Sequence, residues 1–438
     1  MCENSGYFSF HAHIPTATIE NWVFILLRLY LFGSMHQYHH AMRWILPTIV
    51  ISQFFCTSLW FAGNAIMPDI LNSFHLEPDF LAHMTSAVQF GFITGTLVFA
   101  ILAIADRFSP SFVFFMSSIL AGLFNLGIIM VDVHSAGLLI FRFLTGFFLA
   151  GIYPVGMKIA SDYYEKGLGK SLGFLVGALV VGTAFPHLLK SIATKLPWKY
   201  IVFSTSALSA IGGLIMLLLV PNGPFRKPIQ HLDLTAFLKG FSNKNFRAVA
   251  FGYFGHMWEL YTFWAFVPVM LTTYKNHFHQ ANLNVSLLSF LVIASGGIAC
   301  VFSGILSQRF STRKIATISL FLSGLCCVLS PLFLFNSSAL VLLIFLFFWG
   351  LVVIADSPLF STLVAQNAPA ESRGASLTIV NSIGFSITII SVQFINGLSK
   401  YMNMQYIYLV LAIGPVFGLI ALYNRRDSSQ QSQPASFS

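Results

Sequence analysis

The sequence predicts an all-α membrane protein with twelve transmembrane helices in two pseudo-symmetric six-helix halves. Three observations predict it. Of the 438 residues, 56% are hydrophobic and only 8% are charged, against roughly 25% charged in soluble domains. Apolar runs follow one another along the chain, each long enough to cross a ~30 Å hydrocarbon core as a helix. The third is a charged loop, Ala105-Asp106-Arg107-Phe108-Ser109-Pro110-Ser111. It returns later as Ser307-Gln308-Arg309-Phe310-Ser311-Thr312-Arg313-Lys314, and a glycine-spaced apolar run precedes each copy. Such a return marks an internal duplication. Lipid offers the backbone no hydrogen-bond partner, so spans must be helices or a closed barrel, and continuous apolar runs exclude the barrel.

Residues 1–41 do not fit the pattern that follows. The apolar piece Trp22 to Phe32 is short and carries Arg28, which makes it a poor span. Glu3 and Glu20 replace the basic start of a signal peptide. Met42-Arg43-Trp44 reads as a natural start, leaving residues 1–41 as a disordered or interfacial N-terminal extension. His36, His39 and His40 cluster there, but no acid or cysteine backs them as metal ligands.

The spans are expected at 44–67, 81–104, 112–131, 137–160, 170–190 and 199–220 in the first half, residues 42–221. Those of the second half, residues 248–423, are expected at 248–272, 284–306, 315–334, 338–363, 375–397 and 403–423. Pro221-Asn222-Gly223-Pro224 ends helix 6, and a basic cytoplasmic linker over 222–247 joins the halves. The Ser/Gln-rich tail, 424–438, is expected to be disordered.

Sorting Lys and Arg by alternate loops, with Arg28, Arg142 and Lys158 set aside, gives fifteen on the side of the termini and five opposite. The positive-inside rule then places both termini, the Asp106 loop and the linker in the cytoplasm. The location expected is a bacterial cytoplasmic (inner) membrane. The net charge of +9 belongs to this loop bias and not to nucleic-acid binding. The five cysteines show no metal-ligand or disulfide-framework spacing, and no metal or cofactor is implied.

The duplication extends beyond the loop. Ala65-Ile66-Met67-Pro68 is matched by Ala265-Phe266-Val267-Pro268, Arg107 by Arg309, Gly146 and Pro154 by Gly350 and Pro358, and Gly169-Lys170-Ser171 by Gly374-Ala375-Ser376. The spacing between partners grows from 200 to 202, 204 and 205. That slow drift in one direction is what small loop insertions produce.

The loop at Asp106 resembles the one between helices 2 and 3 of the major facilitator superfamily. Arg142-Phe143-Leu144-Thr145-Gly146 with Gly151 resembles that family's second motif, and Pro369-Ala370-Glu371-Ser372-Arg373-Gly374 is also family-like. The resemblance covers residues 43–423 and implies a secondary transporter of two parallel six-helix repeats, not an enzyme. It implies that Asp106 sits at the cytoplasmic N-terminus of helix 11, where the helix dipole favours an anion. Arg107 would pair with Asp162 or Glu165. These contacts, with a weaker counterpart at Arg309, would gate the cytoplasmic side. It also implies that helices 1, 4, 7 and 10 line the cavity, which makes Gln53, Trp60, Asn64, Arg142, Tyr153, His256, Glu259 and Asp356 the expected lining.

The residues themselves support several of these assignments. Glu259 lies near the bilayer midplane on helix 7 with Tyr253, His256, Trp258 and Tyr261. Desolvation disfavours a carboxylate anion there, which suits a proton carrier, and His256, three residues back, is placed to share the proton. The bland alternative is a structural Glu–His hydrogen bond. Arg142 lies about 7 Å deep by helical rise, and an intramembrane arginine faces a cavity or a partner, or snorkels out. Asp356, before Ser357-Pro358, is a second protonation site or a kink stabiliser. Helix 5, with Gly173, Gly177 and Gly182, packs on helix 8 or forms an antiporter motif.

The partners expected are a small organic solute, protons and the lipid bilayer, with no nucleic acid and a monomeric chain. The function expected is symport or antiport, with a proton-driven multidrug efflux antiporter as the alternative. A membrane enzyme or haem protein would need facing histidine pairs, and a channel would not need the repeat with its gate loop. No phosphate-binding glycine loop with lysine is present to use ATP.

Overall fold

The computed structural model describes residues 38–130, 134–164, 168–193, 196–226, 240–279, 283–336, 338–369 and 373–423. Residues 1–37 of the expected extension over 1–41 (with His36), Glu165, linker residues 227–239, residues 370–372 and the tail from 424 lie outside the described residues. The chain divides into two compact units, residues 1–45 and 46–438. Of the first, residues 38–45 are described, and they are helical.

Helix α1 is Tyr38–Thr57, continued after a break by the short segments Ala62–Ala65 and Met67–Phe74. It is followed by α2 (Phe80–Ile101), α3 (Pro110–Ile129), α4 (Ser135–Tyr163), α5 (Leu168–Ile192) and α6 (Lys199–Leu219). The second half contains α7 (Lys244–His277), α8 (Val285–Leu306), α9 (Thr312–Phe333), α10 (Ala339–Asn367), α11 (Arg373–Leu398) and α12 (Ile407–Tyr423). Among the described residues, nine helices are long and apolar enough to cross a membrane unaided. The other three have local reasons: α1 is broken, α12 opens with a 3₁₀ turn over Ile407–Ala412, and α7 carries polar residues in its middle.

Two breaks occur at matching places in the two halves. α4 breaks between Leu149 and Tyr153, and α10 breaks at Asp356. In each, a proline follows as the second residue of the next segment, Pro154 and Pro358. Proline has no N–H to donate, and its ring clashes with the carbonyl four residues back. The duplication therefore places one kink in each half.

Glycine lets the helices of each half approach closely. Gly146 of α4 sits against the carbonyl of Val88 in α2, and Gly350 of α10 against that of Val292 in α8. These are equivalent pairs in the two repeats, and neither site has room for a Cβ. The halves meet along α5 with α8 and α2 with α11. A Cβ on Gly173 would lie 2.9 Å from the Cys300 carbonyl oxygen, and one on Gly177 would lie 2.9 Å from that of Gly297. Gly173 and Gly177 thus pack on α8. Gly182 instead faces Thr57 and Phe54 of α1.

The face from which α7 starts is the linker face. At the opposite, far face, side chains tie the halves together. Lys400 Nζ lies 2.9 Å from Asp79 Oδ2, and Gln393 Nε2 donates to Ser86 Oγ at 2.8 Å. Hydrogen bonding to the Lys400 ammonium holds the Asp79 carboxyl below the usual carboxylate range.

Candidate functional site

The two kinks face each other across a central cavity. Tyr153 follows the α4 break and Leu179 comes from α5. The second half supplies Tyr253, Met257, Leu260 and Tyr261 from α7, Ile354, Ser357 and Ser361 around the α10 break, and Asn381 and Phe385 from α11. The volume is about 20 Å³, room for a water molecule and for no organic solute. The halves are therefore closed on one another here. A shallower cavity at the far end of the second half, beside Met270, Thr273 and Tyr408, has no acid or base in its wall.

Trp60 closes the cavity from α1. Its ring lies 5.7 Å from Phe385 and 5.8 Å from Tyr261, centroid to centroid, and Phe92 of α2 packs 4.6 Å from Phe385. These rings join the first half to the second. Such pairs add about 0.5–1.5 kcal/mol each beyond the area they bury.

Behind the cavity wall, His256 Nδ1 of α7 lies 2.8 Å from Asp356 Oδ1 of α10, and both side chains are buried. The contact is close but not a well-aligned hydrogen bond, and His256 Nε2 and Asp356 Oδ2 also lack a partner. Tyr253, one turn before His256, has its ring 6.0 Å from the imidazole, and Ser357 follows Asp356 directly. The pair thus sits one residue, or one helical turn, behind groups that line the cavity.

Glu259 is placed differently from the expectation. Its Oε1 accepts from Trp349 Nε1 at 2.6 Å and its Oε2 from Ser323 Oγ at 3.0 Å. These donors belong to α10 and α9, so Glu259 points into the second half and does not line the cavity. Nor does it share a proton with His256, whose ring turns to Asp356. Residues three apart on a helix differ by about 60° around its axis, enough for the two side chains to take different neighbours.

Arg142 does not line the cavity either. It donates through Nη1 to the Leu59 carbonyl at 3.1 Å and to Asn125 Oδ1 at 3.3 Å, and through Nη2 to the Trp60 carbonyl. Leu59 and Trp60 lie in the break of α1, where helical hydrogen bonding lapses, and a guanidinium satisfies the released carbonyls. Gln53 is buried against Gly156 of α4, and its amide has no partner among the described residues. Asn64 donates to Thr85 Oγ1 at 2.8 Å. Of the eight residues expected in the lining, Tyr153 is in the wall, Trp60 backs it, and the His256–Asp356 pair lies just behind.

The gate loop also differs from what the resemblance implies. Asp106 Oδ1 lies 2.7 Å from Lys158 Nζ of α4, within its own half and not on α11. Arg226, past α6, donates to the carbonyls of Asp106 and Phe108 at 2.7 and 2.8 Å. Arg107 and Arg309 are exposed, and no Arg107 pairing with Asp162 forms. The loop starts at Ala103, a non-glycine residue at φ 50°. Lys158 is the cation at the linker-face end of α4, within reach of the loop that the repeat marks.

The sequence model of the Major Facilitator Superfamily matches residues 49–392 and, in a second match, residues 249–437. A comparison with curated protein sequences gives no match. Among solved structures, the major facilitator superfamily proton:xylose symporter XylE, bound to 6-bromo-6-deoxy-D-glucose, superposes with a TM-score of 0.69. The alignment covers 88% of this chain and 96% of that one at 12% identity, a likeness of fold alone. With the twelve helices, the paired kinks and the family match together, this chain belongs to the Major Facilitator Superfamily and is a transmembrane transporter, not an enzyme.

Proposed function

We propose that this transporter moves a small organic solute by alternating access and couples that movement to protons through the His256–Asp356 pair. The observation that carries the reading is the position of the pair, buried between α7 and α10 and directly behind Tyr253 and Ser357 of the cavity wall. Together, imidazolium and carboxylate are neutral. Loss or gain of one proton leaves a net charge in a dry site, where burial penalises it heavily. Proton exchange therefore changes how strongly α7 holds α10, and both helices shape the cavity.

The likeness in fold to a proton symporter is consistent with this reading. The excess of basic residues on the linker face supports a cytoplasmic orientation for that face. The aromatic share of the wall, Tyr153, Tyr253, Tyr261 and Phe385, supports efflux of lipophilic compounds by proton antiport as a second reading.

The test is proton flux into reconstituted vesicles with an internal pH dye while a panel of solutes is added outside. Inward solute with internal acidification supports symport, and internal alkalinisation supports antiport. Solute movement with no pH change would overturn coupling.

A further inference from the structure

We infer that the solute is uncharged and carries several hydrogen-bonding groups around one apolar face. This rests on reading the central cavity as the solute site. Among the described residues, the cavity wall contains no lysine, arginine, histidine, aspartate or glutamate. The nearby ionisable groups are already engaged. His256 and Asp356 face each other at 2.8 Å, and Glu259 is held by Trp349 and Ser323. Arg142 is turned onto the α1 carbonyls, and Lys158 is paired with Asp106. A charged solute would stand in a closed, water-poor cavity without a counter-ion, which costs several kcal/mol or more.

What the wall does offer is neutral hydrogen-bonding capacity. It presents three phenol hydroxyls, from Tyr153, Tyr253 and Tyr261, with the hydroxyl of Ser357 and the amide of Asn381. None of these groups enters a side-chain hydrogen bond with the protein among the described residues, whereas Ser361 spends its hydroxyl on the Ser357 carbonyl at 3.2 Å. The three tyrosines are nevertheless 8%, 5% and 2% exposed. These polar groups converge on one cavity without a side-chain partner among the described residues, which is how a site presents hydrogen-bonding capacity to a solute. The ring of Tyr261 also packs on Phe385, with centroids 5.2 Å apart at 53°, and the two form an apolar corner backed by Trp60. Hydrogen bonds together with ring faces fix how such a solute is oriented.

The test measures binding to the purified transporter in detergent, with no proton gradient, by quenching of tryptophan fluorescence. The probes are charge variants on two skeletons: glucose, glucuronate and glucosamine, and benzyl alcohol, benzoate and benzylamine, all at pH 6. The expected result is binding by a neutral member, with its charged counterparts weaker by about tenfold or more. Tyr253→Phe and Asn381→Ala should each weaken the neutral probe about tenfold, the loss of one hydrogen bond, with the melting temperature of the free protein unchanged. Equal or tighter binding of a charged member, or binding by no member, would overturn the inference. Because no gradient is present, failure of proton coupling would leave this result standing. Coupled flux without discrimination by charge would sink the inference alone.

Discussion

His256 and Asp356 meet at 2.8 Å between α7 and α10, and this contact separates the acid that sits directly behind the cavity wall from the one that does not. Glu259 is as deeply buried and lies on the same helix, yet its partners belong to α9 and α10 inside the second half. Two carboxylates one turn apart in depth thus have different surroundings. One is paired with a titratable base beside a cavity; the other is bound by two neutral donors in a packed interior.

That difference is testable at Glu259. Glu259→Gln keeps an acceptor for Trp349, so solute-evoked proton flux should persist with little loss of stability. Glu259→Ala leaves the Trp349 indole N–H buried without a partner, which costs about 1–3 kcal/mol. The check is thermal unfolding of both variants beside flux in vesicles. Loss of flux in the glutamine variant with normal folding would move the coupling site to Glu259.

At Arg142 the account predicts a stability defect. Removing the guanidinium frees the Trp60 carbonyl in the α1 break, leaves the Leu59 carbonyl with only a long bond from the Ala62 N–H at 3.4 Å, and strips Asn125 Oδ1 of its donor. Arg142→Met should therefore lower stability by about 2–4 kcal/mol, and Arg142→Lys by less. Melting curves check this. A variant as stable as wild type would show that the break is held by other contacts.

The seam between α5 and α8 should be intolerant of bulk. Gly177→Leu would drive a side chain into the Gly297 carbonyl, and close helix approach in membranes depends on small residues. Transport should fall about tenfold or more, with the monodisperse elution profile retained, as measured by uptake and size-exclusion chromatography. Undiminished transport would mean that the halves never close along this seam during the cycle.

The far-face tie carries a pH signature. Lys400 depresses the Asp79 carboxyl, so the tie is present above the ordinary carboxylate range and is lost as pH falls through the lowered value. The closed far face should accordingly be insensitive to pH from about 5 upward and should loosen below about 4. Salt should weaken it too, since the pair is exposed. Labelling of a single cysteine at Phe92, in a background without the native cysteines, reads the opening. Lys400→Ala should label faster than wild type at about pH 5 and above, with the difference vanishing at low pH, and unchanged labelling above about pH 5 would contradict the assignment.

How much of this was legible beforehand follows from the physics of each feature. The spans and the repeat were, because membrane burial writes itself into runs of apolar residues, and Gly146 with Gly350, or Pro154 with Pro358, keep their spacing. The buried polar residues were also visible one by one, since Glu259, His256, Asp356 and Arg142 each stand out in an apolar run. Their partners were not. His256 and Glu259 look adjacent on a helical wheel, but which helix fills the space beside each is decided by packing between distant segments. The α1 break at Leu59 and Trp60 carries no proline to announce it. Lys158 stands near one end of an apolar run, and only folding of the Asp106 loop against it supplies its partner.

The most direct measurement of the central claim is solute-evoked proton flux in reconstituted vesicles, wild type beside Asp356→Asn. The variant should bind solute and still exchange it across the membrane but move no protons with it, because His256 has lost the carboxylate beside it. Wild-type proton flux from a folded Asp356→Asn transporter would contradict it.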